Sequence, residues 1–152
     1  MSKELFEKAL SFVLRWEGGY VCNPNDLGGA TNMGITQNTY NQWLTSQCHV
    51  KKDVKDLSFD EAKQIYYERY WKAAKCDTMS DKFAVLAFDT AVNMGLSRVK
   101  EFMCEARWLY PDKFIAAREA KYRRFAKVKG QEIFLQGGLN RLNALKNFIK
   151  HI

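Results

Sequence analysis

Glu17, Asp26 and Thr31 are the residues of this 152-residue chain whose types and spacing invite chemistry. They fall within RWEGGYVCNPNDLGGATNMGIT, residues 15–36, a stretch holding five of the nine glycines. Glu17 closes an apolar helical pattern, and a carboxylate at the C-terminal end of a helix sits against a dipole that favours cations there. Its aromatic flanks, Trp16 and Tyr20, predict partial burial. Burial disfavours the charged form, as a general acid needs if it is to hold its proton near neutral pH. A loop or hairpin brings Asp26 and Thr31 around the same cavity. An acid facing a second carboxylate across a gap that holds a water is the arrangement of inverting glycoside hydrolysis. Thr31 would position that water, and the glycines let backbone pass close to a sugar. Plainer readings stay open at this point: Glu17 as a solvated helix end, and Asp26 as the turn-former of NPND.

Helices must position these groups. Leu5, Phe6, Ala9, Leu10, Val13 and Leu14 repeat on one face of a helix over residues 3–16, and Gly18-Gly19 ends it. Tyr20 and Val21 are expected to pair with residues 33–35 across NPNDLGGA. A helix follows Thr36, with Tyr40, Trp43 and Leu44 inward. Ser58 and Glu61 form a capping box that opens a helix to about residue 75. Further helices are predicted over 81–94, 97–109 and 111–128, the last with Pro111 in its first turn. Gln136-Gly137-Gly138 should then break the chain before a final helix over 139–152. The fold class is mainly α, with one glycine-rich loop and no repeat or linker.

Composition narrows the function classes. Apolar residues make up 47% and aromatics 14%, which excludes disorder. No apolar run approaches the roughly 20 residues of a membrane span. Glu4, Glu7 and Lys8 interrupt the N-terminal apolar pattern, which reads as a helix of the mature protein rather than a signal peptide; synthesis in the cytoplasm is expected. Cys22, Cys48, Cys76 and Cys104 form no CxxC and are expected as free thiols. His49 and His151 lack ligand spacing, GGATNMG lacks the Lys-Ser/Thr of a phosphate loop, and neither a metal nor a cofactor is expected. Residues 1–97 carry 11 Lys+Arg against 12 Asp+Glu, net −1, whereas residues 98–152 carry 13 against 5, net +8. Such a half suits an anionic partner, or is a solvated lysine-rich face.

Asp89 and Asn93 share a face of an otherwise apolar helix. Asp89 is read as structural, paired with an arginine; Asn93 either touches substrate at a cleft floor or bonds internally. Tyr66, Tyr67, Tyr70 and Trp71 are mostly core, with Tyr70 or Trp71 available to stack on a sugar. Leu139, Leu142, Leu145, Phe148, Ile149 and Ile152 stripe the last helix opposite Arg141, Lys146, Lys150 and His151, a core stripe that could alternatively disturb an anionic membrane. Arg118, Lys121, Arg123, Arg124, Lys127 and Lys129 form the denser basic run, able to raise the on-rate toward an anionic polymer.

Glu17-Gly18-Gly19-Tyr20 followed by NPNDLGGATNMGIT resembles the signature of glycoside hydrolase family 108, bacterial and phage N-acetylmuramidases whose catalytic glutamate lies in that first motif. YYERYWKAAKCDTMSDKFAVLAFDTAVNMG is similar to the family's Tyr-Trp helix and its Asp-x-x-Val-Asn-x-Gly helix. QGGLNRLNAL resembles the Gly-Trp-x-Asn-Arg segment of the region labelled peptidoglycan-binding, with Leu139 in place of Trp. The likeness spans residues 6–145. It implies Glu17 as catalytic acid and a lysozyme-like fold, two helical lobes with a cleft between and a small hairpin on one wall. The Glu–Asp–Thr order is similar to that of phage lysozymes, in which these three line the cleft, although Asp26 to Thr31 is one residue shorter here. It further implies one domain over 1–152, with a catalytic half to about residue 96 and a basic half over 97–152.

The resulting expectation is a muramidase cleaving the β-1,4 bond between N-acetylmuramic acid and N-acetylglucosamine. Glu17 acts as acid, Asp26 and Thr31 assist, and Tyr20, Tyr70, Trp71 and Asn93 contact substrate. The expected partner is bacterial peptidoglycan. A phage or prophage endolysin is expected, a monomer without nucleic acid or stable membrane insertion, released by a holin-type partner to act in the periplasm and wall. Two alternatives remain. A lytic transglycosylase needs only Glu17 and gives anhydro products. A non-catalytic wall- or nucleic-acid-binding module would place its aromatics among the basic residues of 107–129.

Overall fold

The computed structural model describes residues 3–22 and 29–152. Asp26 lies outside the described residues. Helix α1 spans Lys3–Glu17 and buries Leu5, Phe6, Ala9, Leu10, Phe12 and Val13, the apolar face read from the sequence plus one aromatic. The hairpin follows, with β1 (Thr31–Asn32) antiparallel to β2 (Ile35–Thr36). Its register departs from expectation. Val21 bridges Thr31 rather than reaching residues 33–35. The reason is the two-residue turn Met33-Gly34, both at positive φ, as a tight type I′ hairpin requires.

Thr36 caps α2 (Gln37–Ser46), its side chain accepting from the Thr39 amide. The hairpin is tied to the segment beyond α2 by the Asn32 side-chain amide, which donates to the carbonyl of Val54 at 3.0 Å. Helix α3 (Phe59–Tyr66) opens on the expected capping box of Ser58 and Glu61. Glu61 also accepts from the Tyr40 hydroxyl at 3.0 Å, so the cap joins two helices. Ser58→Ala is expected to lower stability by about 1 kcal/mol, read as a loss of roughly 2–4 °C in a thermal melt. The helix then widens into a π-helical turn over Tyr67–Lys72.

Helix α4 (Asp81–Met94) buries every residue from Phe83 to Ala91. A helix apolar on all sides belongs at the centre of a fold, and α4 contacts α1, α5 (Leu96–Glu105), α6 (Pro111–Phe125) and α7 (Leu135–Ile149). Phe6, Trp71 and Phe88 meet edge-to-face at its heart, with centroids 5.3–5.6 Å apart. Helix α5 stops at Glu105, short of the expected residue 109, and Arg107 and Trp108 take left-handed conformations. Helix α7 corrects the expected break: it starts at Leu135 and runs through Gly137 and Gly138. Gly138 is there for close approach, since a Cβ on it would lie 2.8 Å from the Tyr122 ring. All four cysteines are unpaired, and burial pushes the Cys76 thiol up to about 12. Among the described residues no helix is long and apolar enough to cross a membrane.

Candidate active site

Glu17 is presented by the last turn of α1, where the following Gly18 adopts positive φ and turns the chain away. Its side chain is 21% exposed. Trp16 and Tyr20, expected to enclose it, are 39% and 43% exposed. A guanidinium takes that place: Arg141 Nη1, from α7, donates to Glu17 Oε1 at 2.7 Å.

Arg141 is itself buried, and its Nη2 and Nε donate to Asp89 Oδ1 at 2.9 and 3.1 Å. Burial opposes its charge, but Asp89 and then Glu17 outweigh that and raise its pKa. The other Asp89 oxygen accepts from Arg118 Nη2 at 2.8 Å. Arg118, fully buried, also donates to Thr90 Oγ1 at 3.0 Å, to the Tyr122 hydroxyl at 2.9 Å and to Asn93 Oδ1 at 3.4 Å. Two carboxylates and two guanidiniums thus alternate from the solvent edge into the core. Buried charges persist only when paired and hydrogen-bonded in this way.

The hairpin closes the other side. A Cβ on Gly34 would lie 2.8 Å from Glu17 Cβ, 2.9 Å from Glu17 Oε2 and 2.7 Å from the Tyr66 hydroxyl. The Tyr66 hydroxyl donates to the Met33 carbonyl at 2.6 Å, clamping the turn onto α3. Burial and then the charge of Glu17 raise the pKa of both Tyr66 and Tyr70. Gly34→Ala meets both a forbidden volume and a left-handed backbone that costs roughly 1–2 kcal/mol for a residue with a Cβ. It is expected to lower the melting temperature and cut turnover at least tenfold by displacing Glu17, checked by calorimetry beside a turbidity assay on cell walls.

The structure brings Glu17, the Thr31 hairpin, Tyr70 and, through Arg118, Asn93 into one region. Tyr20 is exposed beyond the end of α1, and its hydroxyl is raised first by a hydrogen bond with Cys22. Trp71 must be corrected. It is buried against Phe6 and Phe88, with Nε1 donating to Asp77 at 2.9 Å, so its ring has no face for a sugar. The basic run is corrected too: Arg118 and Lys121 are buried rather than solvated. Asp89 is structural, as read, with two arginines instead of one. Arg141, expected on the polar side of the last helix, is instead buried, and Gly34 presses on Glu17 with nothing in the residues around it to announce that contact. Arg141 shares an i, i+4 face with the buried Leu145, a periodicity that could have drawn it inward. Among the described residues no group of three His, Cys, Asp or Glu could hold a metal ion. A cavity of about 760 Å³ lies far along α1, beside Lys3, Phe6 and Tyr67, away from this chemistry.

The family model for glycosyl hydrolase 108 matches residues 10–95. This chain belongs to glycosyl hydrolase family 108. The matched segment contains Glu17, the hairpin, Asp89 and Asn93; Arg141 and the rest of α7 lie beyond it. A solved structure, that of SagA from Brucella abortus, is similar over 96% of this chain and 94% of its own, with 28% identity and a TM-score of 0.76. No curated protein matches. The chain is thus a glycoside hydrolase of mainly α, lysozyme-like fold, and family and structural likeness together support a peptidoglycan hydrolase.

Proposed function

We propose that this family 108 member is an N-acetylmuramidase that hydrolyses the β-1,4 bond between N-acetylmuramic acid and N-acetylglucosamine. The observation that carries the reading is the state of Glu17, a partly exposed carboxylate with Oε1 held by Arg141 and Oε2 beside Gly34. A guanidinium has only donors, so an oxygen bonded to it is a poor place for a proton. Oε2 is therefore the oxygen that carries the proton to the glycosidic oxygen, and Arg141 neutralises the carboxylate left behind. Asp26, with Thr31, activates water on the opposite face or stabilises the oxocarbenium-like transition state. Tyr70 and Asn93 contact the substrate.

A role as a phage or prophage endolysin extends this reading. Synthesis in the cytoplasm, release by a holin-type partner and action on the wall fit the +8 charge of residues 98–152, which draws the protein to an anionic polymer.

One observation favours a second reading. The other carboxylate of the charged network, Asp89, is fully occupied by two guanidiniums and cannot serve as a base. A lytic transglycosylase, which needs one acid, uses the muramyl 6-hydroxyl in place of water. Mass spectrometry of digested peptidoglycan separates the two. Reducing-end muropeptides that vanish with Glu17→Gln support the muramidase. Anhydro-muropeptides replace it with the transglycosylase, and no soluble product from the unaltered protein sinks both.

A further inference from the structure

A cavity of about 400 Å³ opens between the end of α4, the start of α5, α6 and the segment leading into α7. Asn93, Arg98, Tyr122, Phe125, Phe134 and Gly138 line it. It adjoins the charged network: Asn93 is one turn from Asp89 on α4, and Gly138 is three residues before Arg141 on α7. We propose that this cavity seats the anionic stem peptide carried by the muramic acid of the substrate. The proposal rests on the muramidase reading.

Three features select that ligand. The first is a fixed donor. Arg118 and the Tyr122 hydroxyl both donate to Asn93, so the atom they meet is Oδ1. Asn93 is exposed and lines the cavity, so with Oδ1 occupied its Nδ2 is left free to donate to a ligand there. An amide carbonyl of a peptide satisfies it.

The second is an apolar wall. Phe134 is 61% exposed and Phe125 is 38% exposed, and together they give the cavity an apolar surface that a ligand can cover. Methyl and methylene groups of a peptide do so.

The third is charge. Glu101 alone answers two cations, Arg98 Nη1 at 2.8 Å and Lys121 Nζ at 2.6 Å. The Arg98 guanidinium also lies over the Phe125 ring, 5.6 Å from its centroid. The three groups together carry one net positive charge, and Arg98 brings it to the cavity lining. The stem peptide bears free carboxylates, and the uncharged sugar at the neighbouring position has none. Gly138 approaches the Tyr122 ring closely, where a Cβ would lie 2.8 Å from it, and both line the cavity.

The test compares kcat/KM on glycan strands bearing stem peptides with kcat/KM on the same strands stripped by an amidase. The unaltered enzyme is expected to prefer the peptide-bearing strands by about tenfold, the scale of one hydrogen bond to a charged group. Arg98→Gln and Phe134→Ala are expected to bring that ratio toward one, mainly through KM. Ile133→Ser, on a neighbour 75% exposed and outside the cavity lining, keeps the preference. In parallel, the free tripeptide L-Ala–γ-D-Glu–diaminopimelate is titrated while the Asn93 side-chain amide is followed by NMR. A shift in the unaltered protein that is lost in Arg98→Gln supports the seat. Cleavage of both polymers at equal efficiency, with no Asn93 shift, overturns the inference and leaves the muramidase standing. A peptide-dependent shift with no cleavage of either polymer overturns the muramidase and leaves the peptide seat.

Discussion

Glu17→Gln is expected to keep the fold and lose turnover by roughly 10²–10⁴-fold, the usual contribution of a positioned general acid. The geometry explains why the two effects separate. The amide oxygen of glutamine still accepts the Arg141 Nη1 bond that Glu17 Oε1 accepts at 2.7 Å. Arg141 keeps its bonds to Asp89, so no buried cation is abandoned. What glutamine lacks is a proton that can leave. The thermal midpoint should move by no more than a few degrees while muropeptide release falls to background. A variant that melts far earlier, or one that still cleaves, removes Glu17 from the role of acid.

Asp89→Ala is expected to have the opposite profile, a loss of stability first and of activity as its consequence. Asp89 is the shared anion of Arg118 and Arg141, with both of its oxygens used. Without it Arg118 keeps only neutral partners in a fully buried position. Removing one partner of a buried pair costs about 3–5 kcal/mol, which for a chain of this length corresponds to a midpoint lower by roughly 6–20 °C. The double variant Asp89→Leu with Arg118→Met removes one charge of each sign and leaves Arg141 with Glu17. It should recover part of the loss, because the penalty comes from an orphaned charge rather than from the missing pair. Denaturant melts of Asp89→Leu, Arg118→Met and the double give the coupling directly. A double variant no more stable than Asp89→Ala contradicts this account of the network.

The sequence was most legible where local rules act alone. Ser58 and Glu61 specify a cap whatever surrounds them, and the apolar spacing of α1 and α4 is read the same way in the chain and in the fold. It was least legible where a distant residue decides. Glycine at 137–138 looks like a helix stop, yet α7 runs through it, and Gly138 answers to the Tyr122 ring, which leaves no room for a Cβ. Trp71 sits in an aromatic run with nothing local to say that Phe6 and Phe88 enclose it. In the site, the Glu-Gly-Gly-Tyr motif pointed to Glu17, but its partner is a residue of the basic helix face. No periodicity within residues 15–36 could announce a guanidinium arriving from residue 141.

That separation of 124 residues between Glu17 and Arg141 sets an order in time. During synthesis Glu17 emerges 124 residues before its guanidinium; at 5–20 residues per second the delay is roughly 6–25 s. Until α7 docks, Glu17 has no cation to hold it and Asp89 has at most one. A nascent chain therefore carries Glu17 without the group that aims it, and the site is assembled only once α7 has left the ribosome.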